Sequence, residues 1–96
     1  MTAYIISRVS ISDQPAMTGY MADAPASVFA YGGEYLVRTG DITAIEGEAS
    51  CERVVVVKFP SKEQALAWYN SEEYRALRDI RWKSADAHII LVPGEA

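Results

Sequence analysis

Four consecutive valines, Val54 to Val57, stand between Arg53 and Lys58, and the run closes at Phe59-Pro60. β-Branched side chains have restricted rotamers and fit a pleated surface better than a helix. A segment that is apolar at successive positions, not only at alternate ones, has to be covered on both faces. Arg53–Phe59 therefore reads as a central strand. Pro60, which has no N–H to give to a ladder, ends it.

The remaining elements follow from periodicity and caps. Tyr4–Ile11 alternates, with Ile5, Val9 and Ile11 on one face and Tyr4, Ile6 and Arg8 on the other. Asp13 caps a helix with Pro15 in its first turn, where a missing N–H costs nothing. Met17, Tyr20, Met21, Ala24, Val28 and Tyr31 recur at helical spacing until Gly32-Gly33. Pro25 inside this pattern costs roughly 3 kcal/mol. The period continues in phase on both sides, which predicts a bend near Met21–Ala24 and not a break. Ser61 with Gln64 forms a capping box for a helix through Leu66, Trp68 and Tyr69. Ser71 caps the next, Glu72 to about Lys83, and His88–Val92 is the last strand.

Glu34–Arg38 and Ile42–Glu46 read as extended, separated by Thr39-Gly40-Asp41, with Gly47–Cys51 as a loop. If Gly47–Glu52 is the hairpin turn, Arg53 faces Glu46 and Phe59 faces Gly40. Residues 34–39 then lack a partner on the valine strand. They either fold back on Ile42–Glu46 or pair with a second subunit, and we expect the second, because unpaired strand backbone is costly.

The order strand, helix, strand, strand, helix, strand is the split βαβ, or ferredoxin-like, pattern. It predicts one α+β domain over residues 1–96, with an antiparallel sheet and both helical regions on one face. A chain this short buries only about two-thirds of its surface. The uncovered sheet face keeps apolar residues, so a homodimer is expected.

Charge and cysteine content narrow the function. The net charge is −4, with six acids and two bases in residues 1–48. Arg75, Arg78, Arg81 and Lys83 follow Glu72 and Glu73, the order that a helix dipole favours. An acidic chain without a basic stripe is a poor match for nucleic acid. The single cysteine, Cys51, allows no internal disulfide and suits a reducing compartment. No apolar run approaches the ~20 residues of a membrane span. The opening Met-Thr-Ala-Tyr-Ile-Ile does not resemble a signal peptide, so the cytoplasm is the expected location. No phosphate loop, carboxylate pair or metal-ligand spacing occurs, and no cofactor or metal is expected.

Several stretches carry a family likeness: Tyr4-Ile5-Ile6, Ala30-Tyr31-Gly32-Gly33, Tyr35-Leu36-Val37-Arg38, Glu46-Gly47, Arg53-Val54-Val55-Val56 and Phe59-Pro60-Ser61. The most specific is Ala67-Trp68-Tyr69-Asn70-Ser71 followed by Glu73-Tyr74. Over nearly its whole length the chain resembles the family of domains of unknown function numbered thirteen-thirty. The resemblance implies a dimeric α+β barrel, two ferredoxin-like sheets packed face to face. It implies no single activity: relatives in that superfamily include cofactor-independent mono-oxygenases, isomerases, lactone-processing enzymes and haem-degrading enzymes.

Candidate chemistry rests on a few side chains. His88 is the only histidine and the natural candidate for proton transfer. Tyr20 and Tyr31 on the first helix, with Tyr69 and Tyr74 on the second helical region, can gather in a cleft between sheet and helices and orient an organic ligand. Arg8, Arg38 and Arg53 on strands require carboxylate partners or an anionic ligand. We take His88 and Tyr69 as catalytic candidates and Tyr20, Arg38, Tyr31 and Tyr74 as ligand contacts. Each also has a structural reading: histidine among strand residues, tyrosines as core aromatics, arginines paired with Glu34, Glu46 or Glu52. Cys51 has no evident base partner. Two functions remain open: a site binding, and in its enzyme form transforming, a small organic acid or phenol, and a non-catalytic interaction module with no pocket. A closed pocket holding a polar group that no protein atom uses would separate them.

Overall fold

The computed structural model describes residues 2–49 and 51–94. Along the chain run β1 (Ala3–Ile11), α1 (Gln14–Ala30), β2 (Glu34–Thr39), β3 (Arg53–Phe59), α2 (Lys62–Tyr69), α3 (Glu72–Ser84) and β4 (Ala85–Pro93). The strands form one antiparallel sheet in the order β2-β3-β1-β4. This is the ferredoxin-like arrangement, with the valine strand and β1 in the centre.

The predicted caps form. Asp13 accepts a hydrogen bond from the Ala16 N–H at 3.3 Å, and Ser61 Oγ accepts from the Gln64 N–H at 3.1 Å. Ser71 Oγ accepts from the Tyr74 N–H at 3.2 Å. α1 passes through Pro25 without interruption. At its end the Gly33 N–H donates to the Val28 carbonyl at 2.9 Å and the Gly32 N–H to that of Phe29 at 3.0 Å. With Gly32 at φ +80°, this is a Schellman closure, which favours glycine at the left-handed position.

The second strand departs from expectation. Residues 42–46 form no strand, and the described residues of the connection, 40–49, 51 and 52, are in a loop. β2 pairs within its own chain, Glu34 against Lys58, Tyr35 against Val57, Arg38 against Val55 and Thr39 against Val54, with an irregularity between Tyr35 and Val37. β2 does not fold back onto Ile42–Glu46, and because residues 34–39 find their partner on β3, the ground for expecting them to pair with a second subunit falls away. The cause lies at the other end of the strand. A Cβ on Gly33 would run into Val28 Cγ1 and come within 2.9 Å of Phe59 Cε1. That close approach sets the start of β2 beside the end of β3, and the register follows from there, leaving the slack in the loop. β4 likewise begins before His88, because it pairs with β1 along its whole length, from Ile11 against Ala85 to Ala3 against Pro93.

Residues opposite one another in a ladder share a face, so the register sorts the sheet. Ile5, Val57 and Phe59 join Val28, Ala65, Trp68 and Tyr74 in the core under the helices. The opposite face carries an apolar row across all four strands, Val37, Val56, Ile6 and Ile90. Ile90 there is 57% exposed. Beside this row, Arg8 faces His88.

The closure at Gly33 yields a test. Gly33→Ala forces Val28 and Phe59 apart, and overpacking of this kind costs about 1–3 kcal/mol. Urea unfolding should show that loss, whereas Gly19→Ala, which has open space around its Cβ, should not lower stability.

Candidate functional site

A cavity of about 60 Å³ lies between the helix-covered sheet face and α1 and α3. Its floor is the row Arg38, Val55, Ser7 and Ile89 with its neighbours, and Tyr20, Met21, Tyr74 and Arg81 reach it from the helices. Three arginines, Arg38, Arg53 and Arg81, line it, and among the described residues no carboxylate does.

Trp68 sets one wall. Its ring centroid is 4.1 Å from that of Tyr74 and 5.5 Å from that of Phe59. Its Nε1–H donates to Ser27 Oγ at 3.0 Å, and Ser27 in turn donates to the Ala24 carbonyl at 2.7 Å. Ser71 ties the same corner by donating to the Trp68 carbonyl at 2.7 Å while capping α3.

Against this wall the Tyr20 and Tyr74 hydroxyls meet at 2.5 Å, their rings edge to face at 6.1 Å. Burial raises the pKa of Tyr20 far above that of free tyrosine, and the adjacent Tyr74 adds to the shift. Burial raises Tyr74 too, but the Arg81 charge and the bond from Tyr20 oppose it. Either hydroxyl can donate in this bond, so the pair keeps one hydroxyl proton that is not used between them. Tyr35 is also raised by burial, opposed by Arg38, whose guanidinium carbon sits 4.4 Å from the ring centroid.

Arg81 is the unexpected member. It is 4% exposed, and its Nε is sealed from solvent with no hydrogen-bond partner. Charge order along α3 accounts for a basic residue there but not for its burial. The spacing was informative: Tyr74 and Arg81 are seven residues apart, two turns, so they share one face of the helix.

Of the residues singled out in the sequence, Tyr20, Arg38 and Tyr74 converge on the cavity. The other three lie elsewhere. Tyr31 is at the surface, donating to Glu73 Oε2 at 3.2 Å. The Glu73 carboxyl is held below its usual range, first by its own backbone N–H and then by Tyr31. Tyr69 stacks 5.8 Å from Tyr74 but borders a separate hollow with Leu66, Ile89 and Leu91, and Arg78 lies over its ring at 5.0 Å. His88 is exposed and sits on the open face opposite Arg8, because the cavity side of β4 belongs to Ile89. Among the described residues, no group of three or more His, Cys, Asp or Glu is placed to hold a metal ion. No helix among them is long and apolar enough to cross a membrane.

Fold and cavity together describe a ferredoxin-like α+β domain with an arginine- and tyrosine-lined pocket beneath its helices. Residues 2–95 match the family described as Domain of unknown function (DUF1330), and the chain belongs to that family. No curated protein matches it. Among solved structures it is similar to a protein of unknown function from Rhodopseudomonas palustris, with TM-score 0.82 and 14% identity over 99% of this chain and 83% of that one. It is similar to a dimeric ferredoxin-like protein of unknown function from Jannaschia sp. at TM-score 0.75 and 10% identity, over 98% and 100%. A cofactor-independent oxygenase from Streptomyces nogalater aligns at TM-score 0.73 and 7% identity, over 99% and 94%.

The tyrosine shifts fix a pH dependence. Unfolded tyrosines lose their protons near pH ~10, whereas folded Tyr20, Tyr35 and Tyr74 keep theirs to higher pH. The unfolded state then binds fewer protons, so this part of the stability is complete below pH ~10 and is lost as pH rises further. Denaturant midpoints should fall above that pH, and Tyr20→Phe should flatten the fall while costing about 0.5–1.5 kcal/mol at neutral pH for its lost hydrogen bond.

Proposed function

We propose that the protein is a homodimer in which each subunit binds a small organic acid or phenolic molecule in the sheet–helix cavity, without metal or nucleotide cofactor. The observation that carries this reading is the buried Arg81 Nε, a strong donor that no protein atom uses. An interaction module without a ligand would leave that buried donor with nothing to offset its desolvation. Tyr20, Tyr74 and Arg38 would contact the ligand, the tyrosines from within and exposed Arg38 from the mouth.

The dimer is supported by the apolar row Val37, Val56, Ile6 and Ile90 on the uncovered sheet face, and by the dimeric relative from Jannaschia sp.. The oxygenase from Streptomyces nogalater, which works without a cofactor, supports extending the reading from binding to chemistry on the bound molecule. A reducing cytoplasm suits the free Cys51.

Two measurements test this. Light scattering should give twice the mass of the chain, and Ile90→Glu, which buries a charge at such an interface, should give the monomer. In a thermal-shift screen of small carboxylates and phenols, a ligand at a hundred times its Kd adds about 2.7 kcal/mol, enough to raise the midpoint by several degrees. A panel that moves the midpoint nowhere would overturn the binding reading.

A further inference from the structure

We propose that the cavity is a carboxylate site, with Arg81 as the buried anchor and the Tyr20–Tyr74 pair as the second donor. This rests on the cavity reading above and narrows it from acids and phenols to acids. A guanidinium carries its charge at every working pH, and a buried one normally meets a carboxylate. Arg81 is 4% exposed, and no carboxylate among the described residues lines the cavity with it. Its Nε–H, which no described protein atom accepts from, is one prong of the fork that pairs with both oxygens of a carboxylate.

The rest of the lining agrees. Arg38, Arg53 and Arg81 face one space without an acid among them, in a chain whose net charge is −4. The positive lining therefore opposes the overall charge, and a low-dielectric cavity focuses such a field on an anion. A phenol is neutral below pH ~10 and leaves the Arg81 charge uncompensated. One hydroxyl proton of the tyrosine pair is used in the bond between them, so the pair has one left for a ligand oxygen. Met17, Met21, Val57 and Trp68 complete the wall. They suit a short apolar or aromatic tail, with the methionines adapting to its shape.

The proposal makes Arg81 expensive to the empty fold. Replacing a buried, unpaired charge with an apolar side chain of similar length is neutral or stabilising. Calorimetric titration of the whole chain with benzoate, phenylacetate and butyrate, each beside its amide and beside phenol, tests the point. The expected result is that at least one acid binds at least tenfold more tightly than its amide and than phenol. Arg81→Met should abolish that binding yet melt at the same temperature as the wild type or higher. Met21→Trp, which fills the cavity without touching the anchor, should also block it. If amides and phenol bind as well as the acids and only Met21→Trp blocks them, the cavity reading stands and the carboxylate proposal fails. If no probe binds and Arg81→Met melts lower, both fail. If neither Arg81→Met nor Arg81→Gln folds, the arginine is structural and the proposal is overturned.

Discussion

Trp68 is the side chain on which the cavity depends. It stacks on Tyr74 of α3, rests on Phe59 of β3 and donates to Ser27 of α1. One indole thus fixes the positions of two helices and a strand relative to its own helix. Aromatic area supplies most of the energy, and the Nε1–H bond supplies direction. With Tyr74 held on that ring, its hydroxyl reaches Tyr20, and the two phenols close one wall of the space that Arg81 enters. Ser71, which both caps α3 and bonds back to the Trp68 carbonyl, keeps α2 and α3 at the angle this requires.

The sheet divides its work by the parity of its residues. Odd positions of β1, β3 and β4 face the helices, and even positions face outward, as the ladder partners Ile5 with Val57 and Leu91, and Ile6 with Val56 and Ile90, make plain. The inner face is a core with a hole in it. The outer face is apolar in its middle row and polar beside it, where Arg8 faces His88. A buried arginine whose Nε has no partner among the described residues is the departure from efficient packing, and such departures are where function is expected to oppose stability.

Much of this was legible in the sequence because it is local. The four valines, the serine and aspartate caps and the Gly32-Gly33 stop each act over a few residues, and each element they specify is present. The register of β2 was not legible. It depends on Gly33 packing against Phe59, a contact across 26 positions that no turn signal in residues 40–52 betrays. The site was legible in part. Tyr20, Tyr74 and Arg38, singled out from their helix and strand positions, line the cavity. His88 lies on the face of β4 away from this cavity, because a one-residue step from Ile89 reverses the face of a strand. Arg81 was hidden among neighbouring bases whose order a helix dipole explains, although its two-turn spacing from Tyr74 put it on the buried stripe.

The central claim is that the cavity keeps Arg81 unpaired for a ligand anion. The most direct measurement is a crystal structure of the chain grown with benzoate. The account predicts one benzoate inside the cavity, a carboxylate oxygen within about 3 Å of Arg81 Nε, the other oxygen meeting a tyrosine hydroxyl of the Tyr20–Tyr74 pair, and the ring among Met21, Val57 and Trp68. Benzoate bound only at surface arginines, with the cavity empty or Arg81 turned to a protein acceptor, would contradict it.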